Sequence, residues 1–258
     1  MMKVSANLNM MFQDVPLIER YALAANAGFK LVEVSIPYSE PADKLKAEAD
    51  KYNLKHTLIN SPPGDWSAGF RGFAALPDHV EDFKKSIDTA IQYGKTLGCS
   101  RIHIMAGTTK GSDEKTFVEN LKFAANKFEQ AGFLALIEPI NKYSMDGYFL
   151  CDYQQALNVL QQVGSSNLKI QYDLFHAQQI TGQLSAFLKA NKDKIGYIQV
   201  AQVPARGHPG TSGELDHAYL FQLLKSSNPE WIIGCEYLQS SKFSDADFKW
   251  VKDYSLQF

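Results

Sequence analysis

Short runs of apolar and β-branched residues alternate with longer amphipathic segments along the whole chain. Each short run has the length of a parallel strand that is buried on both faces. In the first long segment, Leu17, Tyr21 and Ala24 recur at helical spacing, so one side of a helix would pack against the strands. The pattern predicts eight β-α units, with strands at Lys3–Asn7, Leu31–Ile36, Lys55–Asn60, Arg101–Met105, Leu134–Glu138, Leu168–Asp173, Gly196–Val200 and Trp231–Glu236.

Glycines mark the ends of four predicted helices. Gly28, Gly98, Gly132 and Gly164 each lie just past an amphipathic segment. Glycine takes the left-handed backbone conformation that ends many helices without steric cost. We therefore expect the chain to leave the helix at each of these glycines and to enter the next strand.

The number of units favours a closed barrel over an open sheet. Eight parallel strands with helical crossovers can close into a (β/α)8 TIM barrel, which needs about 250 residues, and the chain has 258. No glycine-rich nucleotide-binding motif follows a predicted strand, and no linker rich in proline, glycine or serine divides the chain. The sequence predicts an α/β fold with one barrel domain spanning residues 1–258; an open doubly wound sheet is the alternative.

Composition and charge exclude several classes of protein. The chain is 45% hydrophobic and 21% charged, with a formal net charge of −2 and scattered basic residues, so a nucleic-acid partner is not expected. No run approaches the roughly 18 apolar residues of a membrane span, and no signal peptide is evident, so a cytoplasmic protein is expected. The three cysteines are far apart and are each expected to be buried rather than paired.

Polar residues end four consecutive predicted strands. Glu138, Asp173 and Glu236 lie at the carboxyl ends of the fifth, sixth and eighth strands, and Gln199 lies in the seventh. The carboxyl ends of barrel strands form one rim, where active sites lie. Three carboxylates and an amide would repel one another there unless a divalent cation neutralised them, and ligation by oxygen alone favours Mg²⁺ or Mn²⁺. The sequence predicts a metal site formed by these four residues.

Three further residues are candidates for binding a substrate. His176 follows Asp173 in the same loop and could donate a hydrogen bond to a substrate oxygen; a histidine bonded to backbone is the alternative. Arg206, in the seventh loop, is placed to hold a carboxylate through two hydrogen bonds, and a surface arginine is the alternative. Arg71, between glycines in the third loop, is a candidate lid residue. Glu33 and His103 lie within predicted strands, where burial explains them equally well.

Seven segments, spread over nearly the whole chain, together form a recognisable set of motifs: FKLVEVSIPY, HTLINSPPGDW, GFRGFAALP, IEPIN, QYDLFH, YIQVAQVPARGHPGTSGE and GCEY. With this set the chain resembles the hydroxypyruvate isomerase family, a branch of the xylose isomerase-like barrels. One local difference is that PGTSGE carries one residue more than the PGTGE form of bacterial members.

The resemblance implies a reaction and two catalytic residues. Members interconvert hydroxypyruvate and 2-hydroxy-3-oxopropanoate (tartronate semialdehyde) through an enediolate, with a divalent metal. In related epimerases a pair of glutamates, equivalent to Glu138 and Glu236, serves as base and acid at neighbouring carbons. Proton removal beside a carbonyl needs a base near the carbon and an electrophile on the oxygen, and the predicted rim residues supply both.

Other functions remain open from the sequence. The fold and metal site do not fix the substrate, so a 2-oxo-tetronate isomerase or a keto-sugar epimerase is an alternative. A barrel that binds a metal or small acid without catalysis is a further alternative. Metal-dependent DNA endonucleases share the barrel type, but they usually use several histidines around multiple metals and a basic face. A small hydroxy-carbonyl acid is the expected partner, and assembly into a homo-oligomer is a further expectation.

Overall fold

The computed structural model describes all residues, Met1–Phe258, and shows a closed parallel barrel. The strands are β1 (Lys3–Asn7), β2 (Leu31–Glu33), β3 (Lys55–His56), β4 (Leu58–Asn60), β5 (Arg101–His103), β6 (Leu134–Ile137), β7 (Leu168–Asp173), β8 (Ile195–Val200) and β9 (Ile232–Cys235). They follow the order β3-β2-β1-β9-β8-β7-β6-β5-β4, in which β3 and β4 are two parts of one strand. Eight β-α positions therefore surround the axis, and the predicted single-barrel fold is confirmed.

Helices cover the outside of the strands. Their apolar sides join the strand residues in one core cluster of 65 buried residues, which includes Tyr21, Phe117 and Phe128. A second, small cluster of Leu58, Leu136 and Tyr197 completes the buried apolar packing. The helices are α1 (Leu17–Asn26), α2 (Ala42–Lys51), α3 (Val80–Leu97), α4 (Glu114–Ala131), α5 (Tyr153–Val163), α6 (Leu174–Ile180), α7 (Leu184–Asn191), α8 (His217–Ser227) and α9 (Lys249–Asp253), with short 3-10 turns at Pro77–His79, Lys192–Lys194 and Asp245–Phe248.

Several strands are shorter than the sequence predicted. The second ends at Glu33 instead of Ile36, because the chain there already turns over the rim. The third is interrupted at Thr57, whose hydroxyl donates a hydrogen bond to the Val32 carbonyl oxygen at 3.1 Å. Such side-chain bonds to backbone compete with regular strand geometry. The strands that precede Glu138 and Glu236 also end one residue earlier than predicted, so both glutamates lie one residue past their strands.

The predicted glycine positions agree with the helix ends. Gly98, Gly132 and Gly164 directly follow α3, α4 and α5, with left-handed φ values of 70°, 83° and 68°. Gly28 lies one residue further from its helix and also has a positive φ of 102°. Cys99 and Cys235 are buried and unpaired, as expected, but the prediction of burial is wrong for Cys151, which is exposed. None of the helices combines the length and apolar character that a bilayer crossing requires.

A buried histidine away from the rim makes folding stability depend on pH. His56 donates to or accepts from the Tyr21 hydroxyl at 2.8 Å, and burial lowers its pKa from 6.5 to about 4. The histidine of the unfolded chain takes up a proton at a higher pH than the buried one. The free energy of unfolding should therefore fall by on the order of 3 kcal/mol as pH falls from 6.5 towards 4. We expect this fall to be smaller in His56→Gln when the free energy of unfolding is measured by urea denaturation at pH 7, 5 and 4. An equal fall in wild type and variant would contradict this.

Candidate active site

Three carboxylates converge at the carboxyl rim of the barrel, two of them buried (Glu138 and Asp173) and one half-buried (Glu236). Glu138 follows β6, Asp173 ends β7 and Glu236 follows β9. The Arg206 guanidinium reaches between two of them, with Nη2 3.5 Å from Glu236 Oε1 and 3.9 Å from Asp173 Oδ2. Strand order alone brings these side chains to one rim, so the predicted convergence of Glu138, Asp173 and Glu236 is what the structure shows.

Each carboxylate keeps one buried oxygen without a hydrogen-bond partner. These oxygens are Glu138 Oε1, Asp173 Oδ2 and Glu236 Oε2. The other oxygen of Glu138 accepts from Gln171 Nε2 at 2.8 Å, and that of Asp173 accepts from the Phe175 backbone N–H at 2.8 Å. Buried carboxylate oxygens without donors are costly. Three of them at one rim fit the hard, oxygen-coordinated cation that the sequence predicted.

Burial and the repulsion between neighbouring carboxylates favour the protonated, neutral form of these acids. Burial raises the pKa of Asp173 to about 8, and the charge on Glu236 adds to the rise. Burial, followed by the charges on Glu236 and Asp173, raises the pKa of Glu138 well above its usual range. The nearby Arg206 charge opposes these shifts without cancelling them. The cluster is therefore short of positive charge, which a divalent ion would supply.

His176 has a defined tautomer. Its Nδ1 faces the Asn141 side-chain amide at 2.7 Å and accepts from the Asn141 backbone N–H at 3.3 Å. The amide orientation is fixed because Asn141 Oδ1 accepts from two backbone N–H groups, those of Tyr143 and Ser144. Burial lowers the pKa of His176, so the ring is neutral and its one proton is on Nε2.

This tautomer decides how His176 contributes to the rim. Ligand atoms of His176, Glu138 and Asp173 lie within 4.8 Å of one another, so the histidine is close enough to join a metal cluster. However, a protonated Nε2 donates a hydrogen bond and cannot coordinate a metal. Nε2 lies 3.6 Å from Asp173 Oδ2 and 3.9 Å from Glu138 Oε1. The geometry thus fits the predicted hydrogen-bond donor to a substrate oxygen.

Gln199 is linked to the carboxylates through a buried network. Its Oε1 accepts from Gln171 Nε2 at 2.6 Å, and the same Gln171 nitrogen donates to Glu138. Its Nε2 donates to Glu33 Oε1 at 2.7 Å, which fixes the amide orientation because a carboxylate only accepts. A side chain at position 234 would collide with this network, since a Cβ on Gly234 would lie 2.6 Å from Glu33 Oε2.

Glu33 connects both sides of the rim. It lies fully buried inside the barrel and also accepts from Asn7 Nδ2 at 2.7 Å and from the Tyr197 hydroxyl. Asn7 Oδ1 in turn accepts from the backbone N–H groups of Asn9 and Met10, which line the cavity above the carboxylates. The sequence left Glu33 without a role, and the structure makes it a support beneath the site.

A cavity of about 360 Å³ opens above the carboxylates. Four of the predicted site residues line it together with Trp66 of the third loop: Glu138, His176, Arg206 and Glu236. Arg206 has a positive φ of 54°, and its guanidinium packs 4.6 Å from the Phe175 ring centroid. A non-glycine residue in this region of φ is strained and is often functional.

Arg71 is placed differently from the other predicted residues. It does not line the cavity. Its guanidinium lies 3.8 Å from the ring centroid of Trp66, and Nη1 donates to the backbone oxygens of Trp66 and Phe70. Arg71 therefore holds Trp66 against the cavity, and direct contact of Arg71 with a substrate stays a prediction.

Comparison with protein families identifies the fold type. The model of the xylose isomerase-like TIM barrel family matches residues 21–254. The chain belongs to this family. A relative from Escherichia coli strain K12 named hydroxypyruvate isomerase is 40% identical, with 98% of this chain and 100% of that protein covered. A Caenorhabditis elegans relative, provisionally named for the same activity, is 54% identical over 99% of this chain and 98% of its own. These relatives confirm the resemblance to the hydroxypyruvate isomerases.

Other members of the xylose isomerase-like family carry different names. A 2-oxo-tetronate isomerase of Cupriavidus necator is 40% identical, covering 98% of this chain and 99% of its own. Among solved structures, one named AP endonuclease, family 2, from Brucella melitensis is 38% identical over 98% of this chain and 99% of that chain, with a TM-score of 0.93. Membership of the family thus establishes the barrel fold, whereas the names of its members indicate different substrates.

Proposed function

We propose that this protein is an isomerase that interconverts hydroxypyruvate and 2-hydroxy-3-oxopropanoate. The observation that carries the proposal is the set of three unpartnered carboxylate oxygens beneath a small cavity whose side is formed by Arg206 and His176. Proton transfer between neighbouring carbons needs an acid-base pair, an electrophile and a grip on the substrate, and this site supplies all three. The names of the E. coli and C. elegans relatives support the same reaction.

A divalent metal, Mg²⁺ or Mn²⁺, is part of the proposal. Glu138, Asp173, Gln199 and Glu236 would hold it, since each can present an oxygen to the rim. When bound, such an ion supplies positive charge to the substrate oxygen on which negative charge develops. The Glu33 carboxylate keeps the Gln199 nitrogen turned away from the rim, which leaves the amide oxygen on the side of Glu138.

The remaining roles follow from the positions of the side chains. Arg206 can hold the substrate carboxylate, because its guanidinium is fixed by the Glu236 backbone oxygen and the Phe175 ring at the cavity wall. His176 donates from Nε2 to a substrate oxygen. Glu138 and Glu236 follow β6 and β9, three positions apart around the barrel, so they can flank a substrate and move a proton between its neighbouring carbons.

The names of two relatives suggest other functions. A four-carbon 2-oxo acid would undergo the same chemistry, and the name of the C. necator relative favours it as the second candidate. A DNA endonuclease is suggested by the name of the B. melitensis structure. Two observations argue against a nuclease: the formal net charge is −2, and the cavity above the carboxylates has a volume of only about 360 Å³. Measurable DNA binding at low salt would reopen that alternative.

The first experiment follows hydroxypyruvate by proton NMR in D2O. The protein is stripped with a chelator and then resupplied with Mg²⁺ or Mn²⁺. We expect 2-hydroxy-3-oxopropanoate to form only after metal is returned, with solvent deuterium at the carbon that exchanges its proton. Metal binding without product or exchange, on this acid or on longer keto acids, would favour the non-catalytic binding barrel instead.

Three expectations about the setting of the enzyme stay predictions. A small hydroxy-carbonyl acid follows from the proposed reaction, with no nucleic acid or membrane as partner. The cytoplasmic location rests on the sequence alone, whereas no feature of the sequence specifies the homo-oligomer.

A further inference from the structure

The seventh loop, residues 201–216, links β8 to α8 and carries Arg206. Loops of more than about 12 residues without regular secondary structure are uncommon in compact domains. Within this loop Arg206 has a positive φ of 54°, which costs a non-glycine residue free energy and persists only where the surrounding contacts fix it. The position of the Arg206 guanidinium at the cavity therefore depends on the contacts that hold the loop in shape.

A single buried side chain, the amide of Gln202, joins the two ends of this loop. Its Oε1 accepts from the backbone N–H groups of Val203 and Leu215, each at 2.9 Å. Its Nε2 donates to the backbone oxygens of Thr211 at 3.1 Å and Leu215 at 3.0 Å. Gln202 is 3% exposed, and these four bonds use both lone pairs and both N–H groups of its amide. The loop thus closes around a side chain whose hydrogen-bonding capacity is fully used.

The backbone of Gln202 also closes the turn that carries Arg206. Its N–H donates to the Gly207 carbonyl oxygen at 2.8 Å, so residues 203–206 form a turn that is anchored on Gln202. The Arg206 carbonyl oxygen accepts from the Leu238 N–H at 2.9 Å, which ties the turn to the segment after β9. These two backbone bonds hold Arg206 between Gln202 and the eighth loop.

The packing against Gln202 leaves no room for a side chain at position 213. A Cβ on Gly213 would lie 2.3 Å from the Val203 carbonyl oxygen and 2.4 Å from Gln202 Cγ. The same Val203 oxygen accepts from the Glu214 N–H at 2.9 Å. The two ends of the loop are therefore in direct contact, so a displacement at Gly213 would move Gln202 and the turn that it anchors.

We infer that Gln202 is a positioning residue, which holds the seventh loop in the shape that places the Arg206 guanidinium for the substrate carboxylate. The inference rests on the proposed function, in which Arg206 binds that carboxylate. Gln202 does not line the cavity, so it acts only through Arg206 and moves no proton. Because the carboxylate is held alike in the substrate and in the transition state, loss of Gln202 should raise KM more than it lowers kcat.

The test is a double-mutant cycle in the metal-loaded enzyme, with hydroxypyruvate as substrate. Gln202→Leu keeps a side chain of similar size but removes all four hydrogen bonds of the amide. It should raise KM roughly tenfold, with a smaller change in kcat. In the Arg206→Ala background, the same change should leave kcat/KM constant within about twofold, because the group through which Gln202 acts is already gone.

Two further variants separate positioning from general damage. Gly213→Ala keeps the Gln202 amide but adds a Cβ that displaces it, so it should raise KM in the same direction. Asn167→Leu is the matched control, since it removes another amide that donates to two backbone oxygens, those of Ala125 and Phe133. Asn167 directly precedes β7, at the end of the barrel opposite the cavity, so this variant should lose stability and keep wild-type KM.

The outcomes distinguish the inference from the proposed function. If Gln202→Leu lowers kcat/KM as much in the Arg206→Ala background as in the wild type, the inference is overturned, because Gln202 then acts on the fold in general. An unchanged KM in both Gln202→Leu and Gly213→Ala would overturn it as well. If Gln202→Leu does not fold, Gly213→Ala in the two backgrounds decides. A wild-type enzyme that does not turn over hydroxypyruvate would instead remove the proposed function, and the inference with it.

Discussion

Replacing Glu138 with glutamine should lower kcat by about 10²–10⁴-fold, the range that a positioned acid or base contributes. Glu236→Gln should have an effect of the same size, because the two groups act at neighbouring carbons. The amide keeps the shape of the carboxylate but cannot accept a proton at neutral pH. In the Glu138 variant, Gln171 Nε2 still has an oxygen to donate to, so the hydrogen bond that positions the side chain can survive.

The fold should tolerate both changes. Each replaces an acid whose pKa is raised, chiefly by burial, with a neutral amide, so the metal-free variant should be as stable as the wild type or more stable. Thermal unfolding and metal content measured beside kcat distinguish loss of chemistry from loss of the protein or the ion. Glu214→Gln, an exposed glutamate of the seventh loop, is the matched control and should keep wild-type kcat. Unchanged kinetics in both site variants would remove the two glutamates from the mechanism.

The sequence predicted the rim because the relevant information is periodic. Alternating strands and helices fix which residues end each strand, and the closed barrel brings those ends together. Glu138, Asp173 and Glu236 could therefore be placed from the chain alone. Even so, the predicted ends of the second, fourth and fifth strands were too late by one to three residues, because the chain leaves the ladder before its apolar pattern stops.

What the sequence could not predict depends on side-chain partners far apart in the chain. Gln171 bridges Glu138 and Gln199 only because three strands place those side chains at bonding distance. The tautomer of His176 depends on Asn141, which lies 35 residues earlier. Arg71 was a candidate for the substrate, yet the loop turns its guanidinium onto Trp66. None of these contacts leaves a periodic signal in the sequence.

Metal binding to the rim carboxylates should depend strongly on pH. In the metal-free protein the raised pKa of Asp173, about 8, favours the neutral acid, and Glu138 is shifted in the same direction. Such groups contribute stability at low pH that is lost as pH rises through their folded-state pKa values, here towards 8. A cation needs the deprotonated acids, so binding releases protons and becomes tighter as pH rises.

Adding Mn²⁺ to the chelated protein should therefore raise Tm, and by more at pH 8 than at pH 6. At a metal concentration of 100 Kd, linkage predicts about 2.7 kcal/mol of stabilisation. Calorimetric titration at pH 7 in two buffers of different ionisation enthalpy should show proton release, and Asp173→Asn should bind more weakly and release fewer protons. Because the variant removes the group with the pKa of about 8, its metal affinity should also depend less on pH. The rim carboxylates are the acids that have both an unpartnered buried oxygen and a raised pKa, so metal binding at the rim must depend on pH. A Tm shift that is independent of pH would therefore mean that the ion binds elsewhere.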